Sequence, residues 1–139
     1  MNPYNHDDVW QAPSCNMPLN ATVNIPGSKS LSNRYLILAA LGKKPVVLKG
    51  LLRSRDTELM INALSVFGVK CDSLSCDGTT ICVIPPKNGV FSVDDCAVVN
   101  CGLAGTVMRF VTALALFANN CVKFDGDEQA YACLLYTSP

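Results

Sequence analysis

Two short stretches hold most of the residues able to do chemistry. The first is PGSKSLSNR, Pro26 to Arg34, and the second is NCGLAGTVMR, Asn100 to Arg109. In the first, Lys29 supplies a mobile positive charge. Ser28, Ser30 and Ser32 supply hydroxyl donors, and Gly27 lets backbone come close to a ligand. Arg34 stands four residues beyond Ser30, about one helical turn along the same face, with a planar fork suited to carboxylate or phosphate. The start of a helix adds unpaired N–H groups and a partial positive charge. Together these make a cradle for small anions. The second stretch repeats the logic: Gly102 and Gly105 bracket Leu103-Ala104, Thr106 is placed to cap, and Arg109 follows within a turn. Taken singly, the first is also what a solvated helix cap looks like, and Arg109 what a snorkelling surface arginine looks like. Two matched loops, each ending in arginine, favour a ligand. Nucleotide motifs do not fit: Ser28 precedes Lys29 and Val23 stands where a phosphate loop needs its first glycine, and G-x-G-x-x-G is absent.

These loops need strands and helices to hold them. Residues 1–19 read as an extended leader. NATVNI, Asn20 to Ile25, alternates like a short strand entering Pro26-Gly27. A helix is expected from about Ser30 to Leu41, with Leu31, Tyr35, Leu38 and Leu41 on one stripe and Gly42 as its stop. KPVVLKGLL reads as a strand. Asp56 or Thr57 is placed to cap the next helix, with Glu58 in its first turn and Leu59, Met60, Ala63, Leu64 and Phe67 at helical spacing up to Gly68. VKCDSL and TTICVI form two short strands around SCDG. CAVVN is a strand, a helix runs from about Gly105 to Ala118, and CVKFDG is a last strand after Asn119-Asn120. The order is that of an α/β or α+β fold. A shift of 75 residues puts Gly27 on Gly102, Arg34 on Arg109, Tyr35 on Phe110 and Leu41 on Leu116. One supersecondary unit is used twice.

Composition narrows the class. The 139 residues are 50% hydrophobic and 16% charged, enough for one ordinary domain with a core. Eleven basic residues balance eleven acidic ones, so no global field favours nucleic acid or an anionic membrane. The longest apolar tract, Leu103 to Val122, carries Arg109, Asn119 and Asn120 and reads as a core helix plus a turn. The N-terminus lacks the pattern of a secretory signal, so the cytoplasm is expected. The eight cysteines include no C-x-x-C pair, and the single histidine, His6, lies in the leader. Buried, reduced thiols are expected, with neither disulfides nor a zinc site.

With PGSKSLSNR and GLAGTVMR on one chain, the sequence resembles the 5-enolpyruvylshikimate-3-phosphate synthase family of the shikimate pathway. LLRSRDTELMINALSVFGV and FDGDEQAYA fall in that family's order and spacing, and the likeness covers about Asn20 to Ala132. The related enolpyruvyl transferases acting on UDP-N-acetylglucosamine lack the Ser-Lys-Ser motif. The resemblance implies transfer of the enolpyruvyl group of phosphoenolpyruvate to the 5-hydroxyl of shikimate 3-phosphate, with loss of phosphate through a tetrahedral intermediate, in chorismate and aromatic amino acid biosynthesis. It implies no cofactor and no metal, and a monomer when full length. By position, it implies that Lys29 touches both substrates and that Ser30 and Arg34 hold shikimate 3-phosphate. Gly105, with Ala104 and Thr106, would take phosphoenolpyruvate. Arg109 would support the loop through an ion pair, and Asp56, first a helix cap, would lie near the site. Leu103 stands where the family's best-known form has asparagine.

The resemblance also implies β-α-β-α-β-β units repeated around a pseudo-threefold axis in each of two domains, with substrates in the cleft between them. Against that pattern the sequence reads as a partial first domain, residues 20–132. After Ala132 the family continues with Arg-Pro; here Cys133 begins CLLYTSP, which resembles a translated sequencing adaptor and is expected to be an artefact, residues 133–139. Three charge-assisted contacts from Lys29, Ser30 and Arg34 would supply about 6 kcal/mol gross. Association costs of about 4–15 kcal/mol consume much or all of that, so millimolar or no binding, and no turnover, are expected of this segment alone. The contrasting expectation is a non-catalytic module that binds phosphate or carboxylate, and a third is a globular α/β domain with no ligand.

Overall fold

The computed structural model describes residues 13–131. Helix α1 (Lys29–Ala40) starts where Ser28 turns its hydroxyl to the Leu31 amide. Strand β1 (Val46–Leu48) follows, then α2 (Arg55–Val66), β2 (Lys70–Ser73) and β3 (Ile81–Ile84). A 3-10 turn at Lys87–Gly89 leads to β4 (Ala97–Asn100), α3 (Gly105–Ala115), β5 (Val122–Asp125) and the short α4 (Glu128–Tyr131). Two small sheets result. In one, β3 lies between β1 and β2, antiparallel to both; in the other, β4 and β5 are parallel. Helix α2 is the centre of the molecule, packed against α1, α3 and β4. Its Met60, Ala63 and Leu64, with Phe67 just past its end, recur at i, i+3, i+4 and i+7, and all are buried. Phe67 meets Phe91 edge to face, with ring centroids 6.2 Å apart.

The repeat is visible in the helices. Lys29–Ala40 shifted by 75 residues lands on 104–115, and α3 is Gly105–Ala115. The strands before them differ. NATVNI is not a strand: residues 20–25 have no regular structure, and Val23 and Ile25 are exposed. Its counterpart β4 is a strand because β5 pairs with it along four residues, whereas Asn20 to Ile25 has no ladder partner among the described residues.

Other expectations change for local reasons. The stripe Leu31, Tyr35, Leu38 and Leu41 is about half exposed; α1 buries Ser32, Asn33, Leu36, Ala39 and Ala40 instead. Small and polar side chains let α1 lie close to its neighbours, and Ser32 accepts a hydrogen bond from the Leu52 amide (2.9 Å) that fixes its rotation. Neither Asp56 nor Thr57 caps α2. Ser54 does, in a reciprocal box in which the Thr57 hydroxyl accepts from the Ser54 amide at 2.9 Å. Helix α3 ends at Ala115 rather than Ala118. Asn119 then accepts from the Val93 amide (2.7 Å) and Asn120 donates to the Val93 carbonyl (2.8 Å), tying the turn to residues 91–93. The seven described cysteines are free thiols, but only Cys101 is buried, so the expectation of a buried set holds for one of them. Of the other six, Cys15, Cys76, Cys96 and Cys121 are exposed outside the strands, and Cys71 and Cys82 are half-buried on β2 and β3. His6 and Cys133 to Pro139 lie outside the described residues.

Candidate functional site

The two loops differ in how their helices begin. At α1 the Ser28 hydroxyl occupies the Leu31 amide. At α3 the capping position is Ala104, which has no side-chain acceptor, so the leading amides of Gly105, Thr106 and Val107 have no side-chain cap. Thr106 does not cap. Its hydroxyl accepts from Asn33 Nδ2 at 3.5 Å, across 73 residues of sequence. Asn33 is fully buried, and its Oδ1 has no hydrogen-bond partner among the described residues. This side chain joins the two loops and was not singled out in the sequence. Its signal is present there: Asn33, Leu36 and Ala40 follow i, i+3, i+7, which places a poor helix former on the buried face.

Around loop one, Lys29 Nζ lies 2.9 Å from Asp56 Oδ2, with the lysine side chain 56% exposed and the aspartate 25%. Asp56 thus lies beside the loop-one cation, in the first turn of α2. Arg34 Nη1 donates to Ser30 Oγ at 2.7 Å, as expected from their spacing of one turn. Both Lys29 and Arg34 are exposed. Gly27 packs rather than opens: a Cβ there would fall 2.1 Å from the Gly50 carbonyl oxygen, so this glycine admits the chain's own backbone and not a ligand. Gly105 is the opposite case, because a Cβ there would meet nothing within 4 Å.

Loop two rests on the ends of β4 and β5. The Cys101 amide donates to the Asp125 carbonyl (2.7 Å), and the Gly102 amide to Asn100 Oδ1 (2.8 Å). Gly102 has φ 51°, in the left-handed region where glycine costs least. Burial pushes the Cys101 thiol up, with the Asp125 charge adding to it. Asp125 itself is held below the ordinary carboxylate value by hydrogen bonds from the Tyr131 hydroxyl and the Gly126 amide. Ala104 is buried beneath the loop, and Leu103 is half exposed on it.

Arg109 follows in the second turn of α3. It is exposed, and the ion pairs among the described residues are Lys29–Asp56, Arg53–Glu58 and Arg55–Asp127, none of which includes it. One turn of α3 carries it past the loop toward solvent. A depression of about 300 Å³ lies against loop one, lined by Ser28, Leu31, Ser32, Tyr35 and residues 47–51. Another of about 230 Å³ lies between α1 and α3, where Arg34, Ile37 and Leu38 face Phe110. Neither takes in Lys29 or Gly105. What the structure brings together is α1 and α3 through Asn33 and Thr106, and Lys29 with Asp56.

Comparison with known proteins identifies the family and the fold. Residues 14–132 match the family described as EPSP synthase (3-phosphoshikimate 1-carboxyvinyltransferase). The chain is 65% identical over 125 residues to a 3-phosphoshikimate 1-carboxyvinyltransferase of Bifidobacterium longum, an overlap that takes in 90% of this chain and 28% of that protein. It therefore spans just over a quarter of that relative's length. Among solved structures, EPSP synthase from Acinetobacter baumannii superposes with a TM-score of 0.66 at 20% identity, over 76% of this chain and 23% of that one, so the two share a fold. A second structure of the Acinetobacter baumannii enzyme gives the same values. With the family match covering most of its length, the chain belongs to the EPSP synthase family.

Proposed function

We propose that the full-length protein carrying this sequence transfers the enolpyruvyl group of phosphoenolpyruvate to the 5-hydroxyl of shikimate 3-phosphate and releases phosphate. The observation that carries the proposal is the hydrogen bond from Asn33 to Thr106, which couples a lysine-bearing loop to an uncapped helix start. Both substrates are anions that repel each other. Charge-assisted donors on one loop and free amides on the other offset that repulsion before the C–O bond forms. In this reading Lys29 neutralises charge on both. Ser30 and Arg34, already hydrogen-bonded to one another, hold shikimate 3-phosphate. Gly105 donates its amide to phosphoenolpyruvate, with the open space before it giving the ligand room, while Ala104 and Thr106 shape the loop. Asp56 orients Lys29, and Arg109 acts as a peripheral charge. No cofactor or metal enters this scheme.

No described helix is long and apolar enough to cross a membrane. A cytoplasmic, monomeric enzyme that contacts neither nucleic acid nor membrane accords with the balanced charge. The 139-residue chain by itself would bind shikimate 3-phosphate only weakly and would not turn over, because three side-chain contacts do not offset the cost of association. The test is phosphate release by the full-length enzyme and its Lys29→Ala variant. The variant is expected to lose at least ~100-fold in kcat/KM, which corresponds to about 2.7 kcal/mol of transition-state stabilisation. Unchanged kinetics in Lys29→Ala would leave the function without its central residue.

A further inference from the structure

We infer that Arg55 and Asp127 are positioning residues for the phosphoenolpyruvate loop: their ion pair clamps Gly102 and so places the α3 amides relative to Lys29. The inference rests on the function proposed above and extends it to two residues outside both glycine loops.

The geometry is a two-sided clamp. On one side lies α2. A Cβ on Gly102 would fall 2.8 Å from Leu59 Cδ1 and 3.2 Å from Arg55 Nη2, so the first turns of α2 lie directly on this glycine. On the other side lies the turn after β5. The Asp127 amide donates to the Gly102 carbonyl at 3.2 Å, and a Cβ on Gly126 would fall 2.7 Å from that same carbonyl oxygen. Arg55 Nη2 closes the clamp by reaching both carboxylate oxygens of Asp127, at 2.8 and 2.7 Å. Only two residues separate Gly102 from Gly105, so a shift at one moves the other.

Stability does not explain the pair. Arg55 is 63% exposed and Asp127 27%, and an ion pair so accessible to water and salt adds little to folding. Its consequence is where the loop sits. The neighbouring residue supplies the complementary half: Asp56, beside Arg55 in the same turn, holds Lys29 of loop one. One helical turn therefore grips both loops, the acidic side chain taking the cationic loop and the basic side chain taking the loop that carries free amides. The turn is itself fixed by the Ser54–Thr57 capping box and by Thr57 Oγ1 donating to the Leu52 carbonyl at 2.8 Å.

The test is steady-state kinetics of the full-length enzyme with Arg55→Met, Asp127→Asn, the double variant and Arg55→Lys. Arg55→Met and Asp127→Asn are each expected to raise KM for phosphoenolpyruvate about three- to tenfold, with KM for shikimate 3-phosphate and kcat within about twofold of the parent. The double variant should be no worse than either single, since both remove one contact. Arg55→Lys should recover most of the loss. A KM for phosphoenolpyruvate unchanged in both single variants, or equal rises in both KM values, would overturn the inference. So would a fall in kcat alone with lowered thermal midpoints, the mark of a merely structural pair. Failure of the underlying function looks different: the unmodified full-length enzyme would release no phosphate from the two substrates.

Discussion

Asn33 and Thr106 meet across the interface of α1 and α3, with Asn33 Nδ2 donating to Thr106 Oγ1 at 3.5 Å while Asn33 Oδ1 lies buried without a partner among the described residues. A buried amide with half its hydrogen bonds unmade costs stability, about 1–3 kcal/mol for the orphaned oxygen. A long, weak bond on the other atom does not offset it. The residue is thus better suited to linking two loops than to stabilising a core. Asn33→Leu, which keeps the branched shape, is expected to leave the thermal midpoint unchanged or raised. In the full-length enzyme the same change should weaken phosphoenolpyruvate binding, because Thr106 loses its tether. A thermal melt and a KM determination on one preparation check both halves.

The Lys29–Asp56 pair leads to a salt-dependent prediction. Its 2.9 Å contact is on the surface and contributes no more than about 1 kcal/mol to folding. Asp56 nevertheless places a negative charge where anionic substrates are proposed to bind. Asp56→Asn is expected to tighten the dissociation constant for shikimate 3-phosphate about two- to fivefold at 50 mM salt, with the difference gone near 1 M, where the screening length is roughly 3 Å. Lys29→Ala should weaken binding at both salt concentrations. Calorimetric titration of the full-length protein at the two ionic strengths measures this.

Gly27 and Gly105 should respond in opposite ways to the same substitution. Gly27→Ala forces a Cβ to within 2.1 Å of the Gly50 carbonyl oxygen, a backbone atom that cannot step aside. A loss of at least about 2 kcal/mol is expected, of the size seen for strained or overpacked sites, read as a lowered urea midpoint. Gly105→Ala meets open space and replaces a poor helix former at the start of α3, so stability should hold or improve slightly. Its cost should appear in KM for phosphoenolpyruvate, since the added methyl fills the room proposed for the ligand.

Much of the fold could be read in the residues, and the failures share a cause. Met60, Ala63, Leu64 and Phe67 mark the buried side of α2 because that helix is enclosed by α1, α3 and β4, so its pattern and its packing agree. Helix α1 has apolar residues on two sides, and periodicity alone chose Leu31, Tyr35 and Leu38, the side that is half exposed. Hydrogen bonds through Ser32 and Asn33 decide which side faces inward, and those depend on residues 20 and 73 positions away. The strand expected at Asn20 to Ile25 fails likewise, because alternation says which residues suit a strand and not whether a ladder partner exists. In the site, the Ser30–Arg34 contact was legible because it is local to one turn. The Lys29–Asp56 and Arg55–Asp127 pairs were not, since each joins elements far apart in the chain.

Asp77 offers a test by pH that is independent of any ligand. It sits in the turn between β2 and β3, where its Oδ1 accepts from the Ser75 hydroxyl at 2.5 Å, the Thr79 amide at 3.0 Å and the Thr79 hydroxyl at 2.9 Å. These bonds, the Ser75 hydroxyl first, bring its carboxyl down from an ordinary 3.8 to about 2. A carboxyl depressed in the folded state contributes stability that is fully present above its unfolded value and is lost as pH falls through the folded one. The window is therefore about pH 4 down to pH 2. Asp77→Asn keeps an oxygen acceptor in the turn but cannot titrate. In the full-length protein the variant should have a lower urea midpoint than the parent at pH 6, and the two should converge as pH falls from 4 to 2. Parallel curves across that range would mean the turn's hydrogen bonds do not depend on the charge of Asp77.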